Sequence, residues 1–165
     1  TLVSGPTSLA APTGVTRIDV RTAQEMLAAC ERSLPADAAI CVAAVADYRP
    51  SQVSHLKLEK SNVATLELVA NPDILATLSK HAKRPKLVVG FAAQTHDTEE
   101  YAKAKLQRKG CDWIIANDVS GDVLGGDSNQ VAIIRPEGIQ RLPQMSKLAV
   151  ADEIARQIAA ALAVK

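Results

Sequence analysis

Strand-like and helix-like segments alternate along the whole chain, and this alternation constrains the fold more than any other feature of the sequence. The alternation is typical of α/β domains with a largely parallel sheet. The apolar run over residues 38–45 is typical of a strand buried on both faces. Strands are predicted over residues 1–4, 15–20, 38–45, 86–90 and 112–116, with alternating strands over 56–60 and 65–69 and a hairpin over 131–135 and 139–142.

The helices carry explicit start and stop signals. Thr22 and Glu25 form a capping box at the start of the first helix, and Gly110 ends a charged helix over residues 98–109. Asn71-Pro72-Asp73 predicts another helix start, with the asparagine as N-cap and the proline in the first turn. The four helices predicted from such signals begin at residues 22, 71, 98 and 146.

Composition and charge exclude several classes of function. The 165 residues suffice for one domain over residues 1–165. Nineteen basic residues against eighteen acidic ones give a net charge of +1, so no nucleic-acid partner is expected. No apolar run approaches the roughly 20 residues of a membrane span, and the N-terminus does not read as a signal peptide. Three scattered cysteines indicate a reducing compartment, and we expect a cytoplasmic protein.

Polar and aromatic residues stand where predicted strands end and one helix begins. Asp47, Phe91 and the pair Asn117-Asp118 each follow an apolar strand, and Asn71 begins a helix. Ligands of α/β sheets bind at the carboxyl ends of the strands, so these residues are site candidates. The residues alone leave two interpretations open. Asp47 can bind a ribose or only its own turn, and Asn71 can face an anion or only cap its helix.

Two groups of lysines can either meet phosphates or be ordinary surface residues. Lys57 and Lys60 lie on the alternating strand over residues 56–60, where lysines commonly protect an exposed sheet edge. The alternative is a mobile hairpin whose lysine closes over a phosphate. Lys105 and Lys109 lie four residues apart on one face of the charged helix, where they are either solvated or in contact with a triphosphate.

Other catalytic patterns are weak. Tyr101 and Lys105 match the Y-x-x-x-K pair of short-chain dehydrogenases, but no glycine-rich dinucleotide loop opens a strand–helix unit, so we reject a nicotinamide oxidoreductase. The histidines at 55, 81 and 96 share no metal-ligand spacing, and no serine has a convincing histidine–acid pair. A basic site at strand ends remains, which fits nucleotidyl or phosphoryl chemistry.

Six blocks of sequence occur together in a characteristic order. They are AAVADYRP (43–50) with the following K-x-x-K (57–60), NPDIL (71–75), VVGFAAQT (88–95), EEYAKAKLQRKGCDWIIANDV (99–119) and GGDSNQV (125–131). Together they resemble phosphopantothenate–cysteine ligase over essentially the whole chain. The resemblance implies a three-layer, Rossmann-like α/β fold with a mostly parallel sheet and an antiparallel hairpin arm. In bacteria this ligase is usually the C-terminal half of a bifunctional coenzyme A biosynthesis protein.

The resemblance also implies a reaction. CTP activates the carboxylate of 4′-phosphopantothenate as an acyl-cytidylate, and pyrophosphate leaves. The amine of cysteine then displaces CMP and forms the amide. Mg²⁺ accompanies the triphosphate, with protein ligands that stay unassigned. FMN is implied only for the decarboxylase domain fused upstream, not for this chain.

Several residues match motif positions of the family. Asp47 resembles a CTP-contacting aspartate, which the resemblance makes either a ribose ligand or a metal-linked ligand, and Phe91 could pack on the base. Lys57 resembles a lysine on a flexible arm that is important for turnover, although Glu59 replaces a lysine that the family often has. The other nucleotide contacts implied by the resemblance are Cys41, Val42, Ala43, Pro72, Asp73, Ile74, Leu75, Lys105 and Lys109, with Asn71, Asn117 and Asp118 as further candidates.

One departure from the family concerns the start of the chain. Full-length members begin with a glycine-rich strand–loop–helix that is missing here, so we expect the 165 residues alone not to complete the ligation. Steady-state product from the purified chain would refute this. The family also forms homodimers, with the strands over residues 56–60 and 65–69 as a plausible arm. The alternative that stays open is a non-catalytic nucleotide-binding or dimerisation module.

Overall fold

The structure is a computed structural model. It describes residues 1–54, 56, 65–94, 98–118 and 128–164, with only the backbone of residues 94, 118 and 128. Contacts divide the chain into two compact units, Thr1–Arg32 with Ala43–Ile74 and Ser33–Val42 with Leu75–Lys165. The assignment of residues 1–165 to a single ligase domain stays a prediction.

The predicted strands and helices of the described residues occur in the predicted order, together with three short strands that the sequence did not predict, over residues 48–50, 128–129 and 145–146. In chain order they are β1 (Leu2–Ser4), β2 (Arg17–Asp19), α1 (Ala23–Arg32), β3 (Ala38–Cys41), β4 (Tyr48–Pro50), β5 (Leu68–Ala70), α2 (Ile74–Ser79), β6 (Leu87–Gln94), α3 (Thr98–Lys109), β7 (Trp113–Asp118), β8 (Ser128–Asn129), β9 (Val131–Arg135), β10 (Gly138–Arg141), β11 (Met145–Ser146) and α4 (Lys147–Ala163).

The described residues of the first unit form two small sheets and one helix. β1 and β2 pair in parallel, and β4 and β5 pair antiparallel. The predicted capping box of α1 is confirmed. The Glu25 carboxylate accepts hydrogen bonds from the backbone N–H groups of Arg21 (2.7 Å) and Thr22 (3.1 Å), and Thr22 Oγ1 accepts one from the Glu25 N–H (3.1 Å). These local contacts satisfy N–H groups that the start of a helix leaves unpaired.

The second unit is built on a five-stranded sheet in the order β10-β9-β7-β6-β3. β3, β6 and β7 are parallel, and β9 and β10 form an antiparallel hairpin beside β7. Four of the five strands therefore run in the same direction, with β9 reversed. This arrangement confirms the predicted α/β class with a mostly parallel central sheet.

Helices cover both faces of this sheet and make the second unit three layers deep. Successive residues of a strand point to opposite faces, so Val88 and Ile114 pack toward α3 while Val89 and Ile115 pack toward α4. The helices contribute Ala102 and Leu106 from α3 and Val150, Ile154 and Ile158 from α4. Because both faces are covered, these strands are apolar throughout rather than alternating.

The longer helices begin where the sequence predicted. α3 spans Thr98–Lys109, and Gly110 follows it with φ +69°, a left-handed conformation that favours glycine. Ser146 caps α4 by accepting a hydrogen bond from the Ala149 N–H (3.2 Å). None of the described helices has the length and apolar character needed to cross a membrane.

Three local predictions need correction or lie outside the description. The apolar run over residues 38–45 is not a fully buried strand, because β3 ends at Cys41 on the sheet edge and Ile40 is 50% exposed. Asn71 is not a helix cap, because α2 begins only at Ile74. β5 pairs with β4, while all but residue 56 of the strand predicted over 56–60 lies outside the described residues.

Candidate functional site

The loop that carries Asp47 is joined to the segment beginning at Asn71. The Asn71 N–H donates to the carbonyl oxygen of Asp47 (2.8 Å), and its side-chain amide donates to the carbonyl oxygen of Ala46 (2.9 Å). The Asp47 side chain is exposed. The structure therefore brings together two sequence-predicted candidates of the first unit, with the Asp47 carboxylate open to solvent.

Arg49 is a third member of this group, and the sequence interpretation did not single it out. Its Nη1 donates to the carbonyl oxygen of Ala70 (2.5 Å) and to Asn71 Oδ1 (3.3 Å). Arg49 stands in the ADYRP block, but its partners lie 21 and 22 residues further along the chain. No local signal identifies such a contact, because it depends on the pairing of β4 with β5.

A cavity of about 440 Å³ lies beside this group within the first unit. Arg49 and Asn71 form part of its polar wall. The remaining lining residues are Gln24, Leu27, Ala28 and Glu31 of α1, together with Ala70 and Pro72. Pro72 and the exposed Asp73 lead directly into α2, whose first residues Ile74 and Leu75 are buried.

Lys105 and Phe91 meet in the second unit. The ammonium of Lys105 on α3 donates to the Phe91 carbonyl oxygen (2.6 Å). Phe91 does not follow its strand as predicted, because β6 continues to Gln94. Both residues are half-buried. The structure thus places a cation of the charged helix beside the second half of β6, the half that leads to the edge of the sheet where ligands of α/β sheets bind. Lys109 lies one turn further along α3 and is also half-buried.

The other candidates of the second unit lie at strand ends. Cys41 ends β3 opposite Gly90 of β6, and the exposed Val42 follows it. Asn117 and Asp118 end β7 in register with Ala93 and Gln94 of β6. Asn117 Oδ1 is buried and accepts no hydrogen bond from the described residues, which leaves an acceptor that a ligand donor would satisfy. Ala43 is an exposed residue of the first unit.

The structure describes most of the potential metal-ligating and thiol groups of the chain but not the predicted turnover lysine. Lys57, the predicted turnover lysine, and Lys60 lie outside the described residues. Within the described ranges no three His, Cys, Asp or Glu side chains form a group that could hold a metal ion. Burial raises the pKa of the Cys30 and Cys111 thiols, which disfavours the nucleophilic thiolate form.

Comparison with known sequences gives consistent matches. A family model described as "DNA/pantothenate metabolism flavoprotein C-terminal domain" matches residues 1–162. The chain is 44% identical over 164 residues to the coenzyme A biosynthesis bifunctional protein CoaBC of Vibrio vulnificus (strain YJ016), covering 96% of this chain and 41% of that protein. The corresponding protein of Bacillus subtilis (strain 168) is 44% identical over 165 residues, covering 96% and 40%. The chain thus spans about two fifths of these relatives.

Solved structures give the same picture of the fold. The crystal structure of the C-terminal domain of coenzyme A biosynthesis bifunctional protein CoaBC matches with a TM-score of 0.80 and 39% identity, covering 99% of this chain and 74% of that chain. The DNA/pantothenate metabolism flavoprotein from Streptococcus pneumoniae matches with a TM-score of 0.76 and 19% identity, covering 96% and 80%. At 19% identity the second match is a likeness of fold.

Proposed function

Because the chain belongs to the family of DNA/pantothenate metabolism flavoprotein C-terminal domains, we propose that it is the ligase part of a bifunctional protein of coenzyme A biosynthesis. The observation that carries this proposal is the family match over residues 1–162. The 44% identity to two bifunctional coenzyme A biosynthesis proteins supports it. The proposed reaction is CTP-dependent formation of an amide between 4′-phosphopantothenate and cysteine.

The chemistry of the proposed reaction divides into two steps. A carboxylate oxygen of 4′-phosphopantothenate attacks the α-phosphorus of CTP, and the bond to pyrophosphate breaks. The cysteine amine then attacks the acyl carbon, the amide bond forms, the amine loses a proton and CMP leaves. A free carboxylate is a poor acylating agent, whereas CMP is a good leaving group. The protein must therefore position the reactants and neutralise phosphate charge.

The described contacts support particular roles for the candidate residues. Lys105 is already held beside the second half of β6 by the Phe91 carbonyl, so a phosphate there would gain a charge-assisted hydrogen bond. In the proposal Lys105 and Lys109 bind the triphosphate, Asp47 binds the ribose and Phe91 packs on the base. Further proposed nucleotide contacts are Cys41, Val42, Ala43, Pro72, Asp73, Ile74 and Leu75, with Asn71, Asn117 and Asp118 as additional candidates.

Mg²⁺ is proposed as a companion of CTP. The described residues hold no cluster of three potential metal ligands. This fits an ion that is held mainly by phosphate oxygens and water with one or two carboxylates, as Mg²⁺ usually is at nucleotide sites. The carboxylates among the proposed contacts are those of Asp47, Asp73 and Asp118, and we propose Asp47 as the ligand of the ion. Bound there, the ion would supply positive charge to the triphosphate.

Partners of the chain are also part of the proposal. They are CTP, 4′-phosphopantothenate, cysteine, a fused upstream decarboxylase domain that carries the FMN, and a second copy of the chain. An exposed apolar face supports the second copy. Tyr48, Leu66 and Leu68 on or next to the β4–β5 pair are 62%, 63% and 52% exposed. Lys57 is proposed as the turnover lysine on sequence resemblance alone.

The ligase proposal is tested by exchanging the matched segment of the Bacillus subtilis relative for this chain. The exchanged protein should release pyrophosphate and form the amide product only when CTP, 4′-phosphopantothenate and cysteine are all present. The same protein with Asp47→Ala should bind CTP more weakly and form product more slowly. A folded exchanged protein that binds CTP but never forms the amide would favour the non-catalytic binding module instead.

A further inference from the structure

Two segments of the first unit are connected by side chains as well as by strand pairing. Residues 46–49 carry Asp47, and residues 70–72 lead to the start of α2. The Asn71 side chain joins both segments, because its Nδ2 donates to the Ala46 carbonyl (2.9 Å) and its Oδ1 accepts from Arg49 Nη1 (3.3 Å). Both the N–H donor and the oxygen acceptor of this side-chain amide therefore make a hydrogen bond.

The Arg49 guanidinium spans three partners on different elements. Nη1 donates to the Ala70 carbonyl of β5 (2.5 Å) and to Asn71. On the opposite side, the Gln24 amide of α1 is assigned with its oxygen toward Arg49. In that orientation it accepts from Nη2 at 3.1 Å and from Nε at 3.3 Å. Only a planar group with several fixed N–H donors can make all these contacts at once.

Neither helix capping nor charge pairing accounts for these two side chains. Asn71 is not the cap of α2, since that helix begins at Ile74. Arg49 forms no ion pair with a carboxylate of the described residues, and its partners are neutral carbonyl and amide oxygens. Because all these partners are neutral oxygens, the guanidinium holds them together through the arrangement of its N–H donors and not by neutralising a negative charge.

We propose that Arg49 and Asn71 are positioning residues that hold the Asp47 loop against the segment at Pro72, so that these two parts of the nucleotide site are assembled before the nucleotide arrives. The inference rests on the proposed nucleotide site. It adds Arg49 to that site and gives Asn71 a positioning role in place of a direct nucleotide contact. Neither residue touches the nucleotide. Both act through Asp47, whose carbonyl oxygen accepts the Asn71 N–H (2.8 Å) and whose side chain is exposed.

The physical reason for such an arrangement is entropic. A loop that is disordered in the free protein must be ordered on binding, and this lowers affinity. Hydrogen bonds that order the loop before the nucleotide binds remove part of this entropic cost of binding. Loss of the Arg49 and Asn71 contacts should therefore weaken binding even where the charge of the side chain is kept.

The test is calorimetric titration of this chain with CTP and Mg²⁺, using variants that keep shape or charge. Arg49→Lys keeps the positive charge but loses the planar guanidinium with its several N–H donors. Asn71→Asp keeps an acceptor for Arg49 but loses the donor to Ala46. Each should weaken CTP binding about tenfold. Arg17→Lys is the matched control, because Arg17 also donates to a carbonyl oxygen of the first unit, that of Leu9 (2.7 Å), and should leave affinity within about twofold.

A double-mutant cycle separates positioning from general loss of structure. If Arg49 acts through Asp47, then Arg49→Lys should weaken binding much less in an Asp47→Ala background than in the unchanged chain. Hydrogen exchange measured on peptides covering residues 43–50 should become faster in Arg49→Lys, with no change over α3 and α4. Additive losses, or unchanged exchange over 43–50, would overturn the positioning role.

The remaining outcomes distinguish this inference from the proposed function. Tight CTP binding by the unchanged chain together with normal affinity of Arg49→Lys overturns the positioning role alone. Normal affinity of Arg49→Lys with strong loss in Arg49→Ala identifies a direct charge contact and overturns it as well. Failure of the unchanged chain to bind CTP overturns both the nucleotide site and the inference built on it.

Discussion

Lys105 shows how one side chain on a highly charged helix differs from its neighbours. Lys103, two residues earlier, pairs with Glu100 at the surface (2.8 Å). Lys105 instead reaches the Phe91 carbonyl within β6 (2.6 Å) and is half-buried. The spacing of lysines along α3 predicts which of them share a face, but only the packing of α3 on β6 shows which one reaches a carbonyl of that strand.

The difference between these two lysines can be measured. Lys105→Gln should weaken CTP binding by roughly 10- to 100-fold, because a charge-assisted hydrogen bond contributes about 1.5–3 kcal/mol. Lys103→Gln removes the same charge from the same helix and should change the affinity less than about twofold. Calorimetry at fixed ionic strength makes the comparison. Equal losses in the two variants would mean that only the net charge of α3 matters.

Asn71 is a site candidate whose predicted role, capping of α2, is wrong although the residue does lie in the candidate site. Asn-Pro-Asp before an apolar run is a good helix-start pattern, and it predicted Asn71 as the N-cap. The helix starts three residues later, and the Asn71 side chain instead binds Ala46 and Arg49. Sequence separations of 22 and 25 residues put these partners beyond any local pattern.

At the scale of elements, predictions succeeded where the determining contacts are local. The capping box of α1, the bounds of α3 and the serine cap of α4 each depend on residues within one turn. β3 was predicted poorly because burial of a strand depends on its neighbours in the sheet. Its apolar sequence indicated an interior strand, yet it is the edge strand of the described sheet.

Helix α4 supplies a test of pH-dependent stability. Hydrogen bonds from Arg156 and then from Gln157 lower the pKa of Glu153 to about 2. Because the folded pKa lies below the ordinary value of 4.5, this contribution is present above pH 4.5 and is lost as the pH falls toward 2. Glu153 and Arg156 lie at the surface, so their contribution to the free energy of unfolding should be small and should weaken with salt.

Urea unfolding of Glu153→Gln at pH 7 and pH 3 checks this expectation. The variant should lose less stability between the two pH values than the unchanged chain loses. Glu137→Gln, in the exposed turn between β9 and β10, is the control and should behave like the unchanged chain. An identical pH dependence in Glu153→Gln would show that its hydrogen bonds do not stabilise the folded state.

At the scale of the whole molecule, the candidate residues are distributed over both compact units. Asp47, Asn71 and Pro72 belong to the first unit, whereas Phe91 and Lys105 belong to the second. The alternation of strands and helices was sufficient to predict the α/β class, because a parallel sheet requires helical crossovers. It could not predict how contacts divide the chain, since that depends on tertiary pairing between distant strands.

The central claim is that the chain carries a CTP site, and competition between nucleotides tests it most directly. The measurement is calorimetric titration of the chain with CTP and with ATP, each with Mg²⁺ under the same conditions. The account predicts that CTP binds at least about tenfold more tightly than ATP. ATP binding as tightly as CTP, or no binding of either nucleotide, would contradict it.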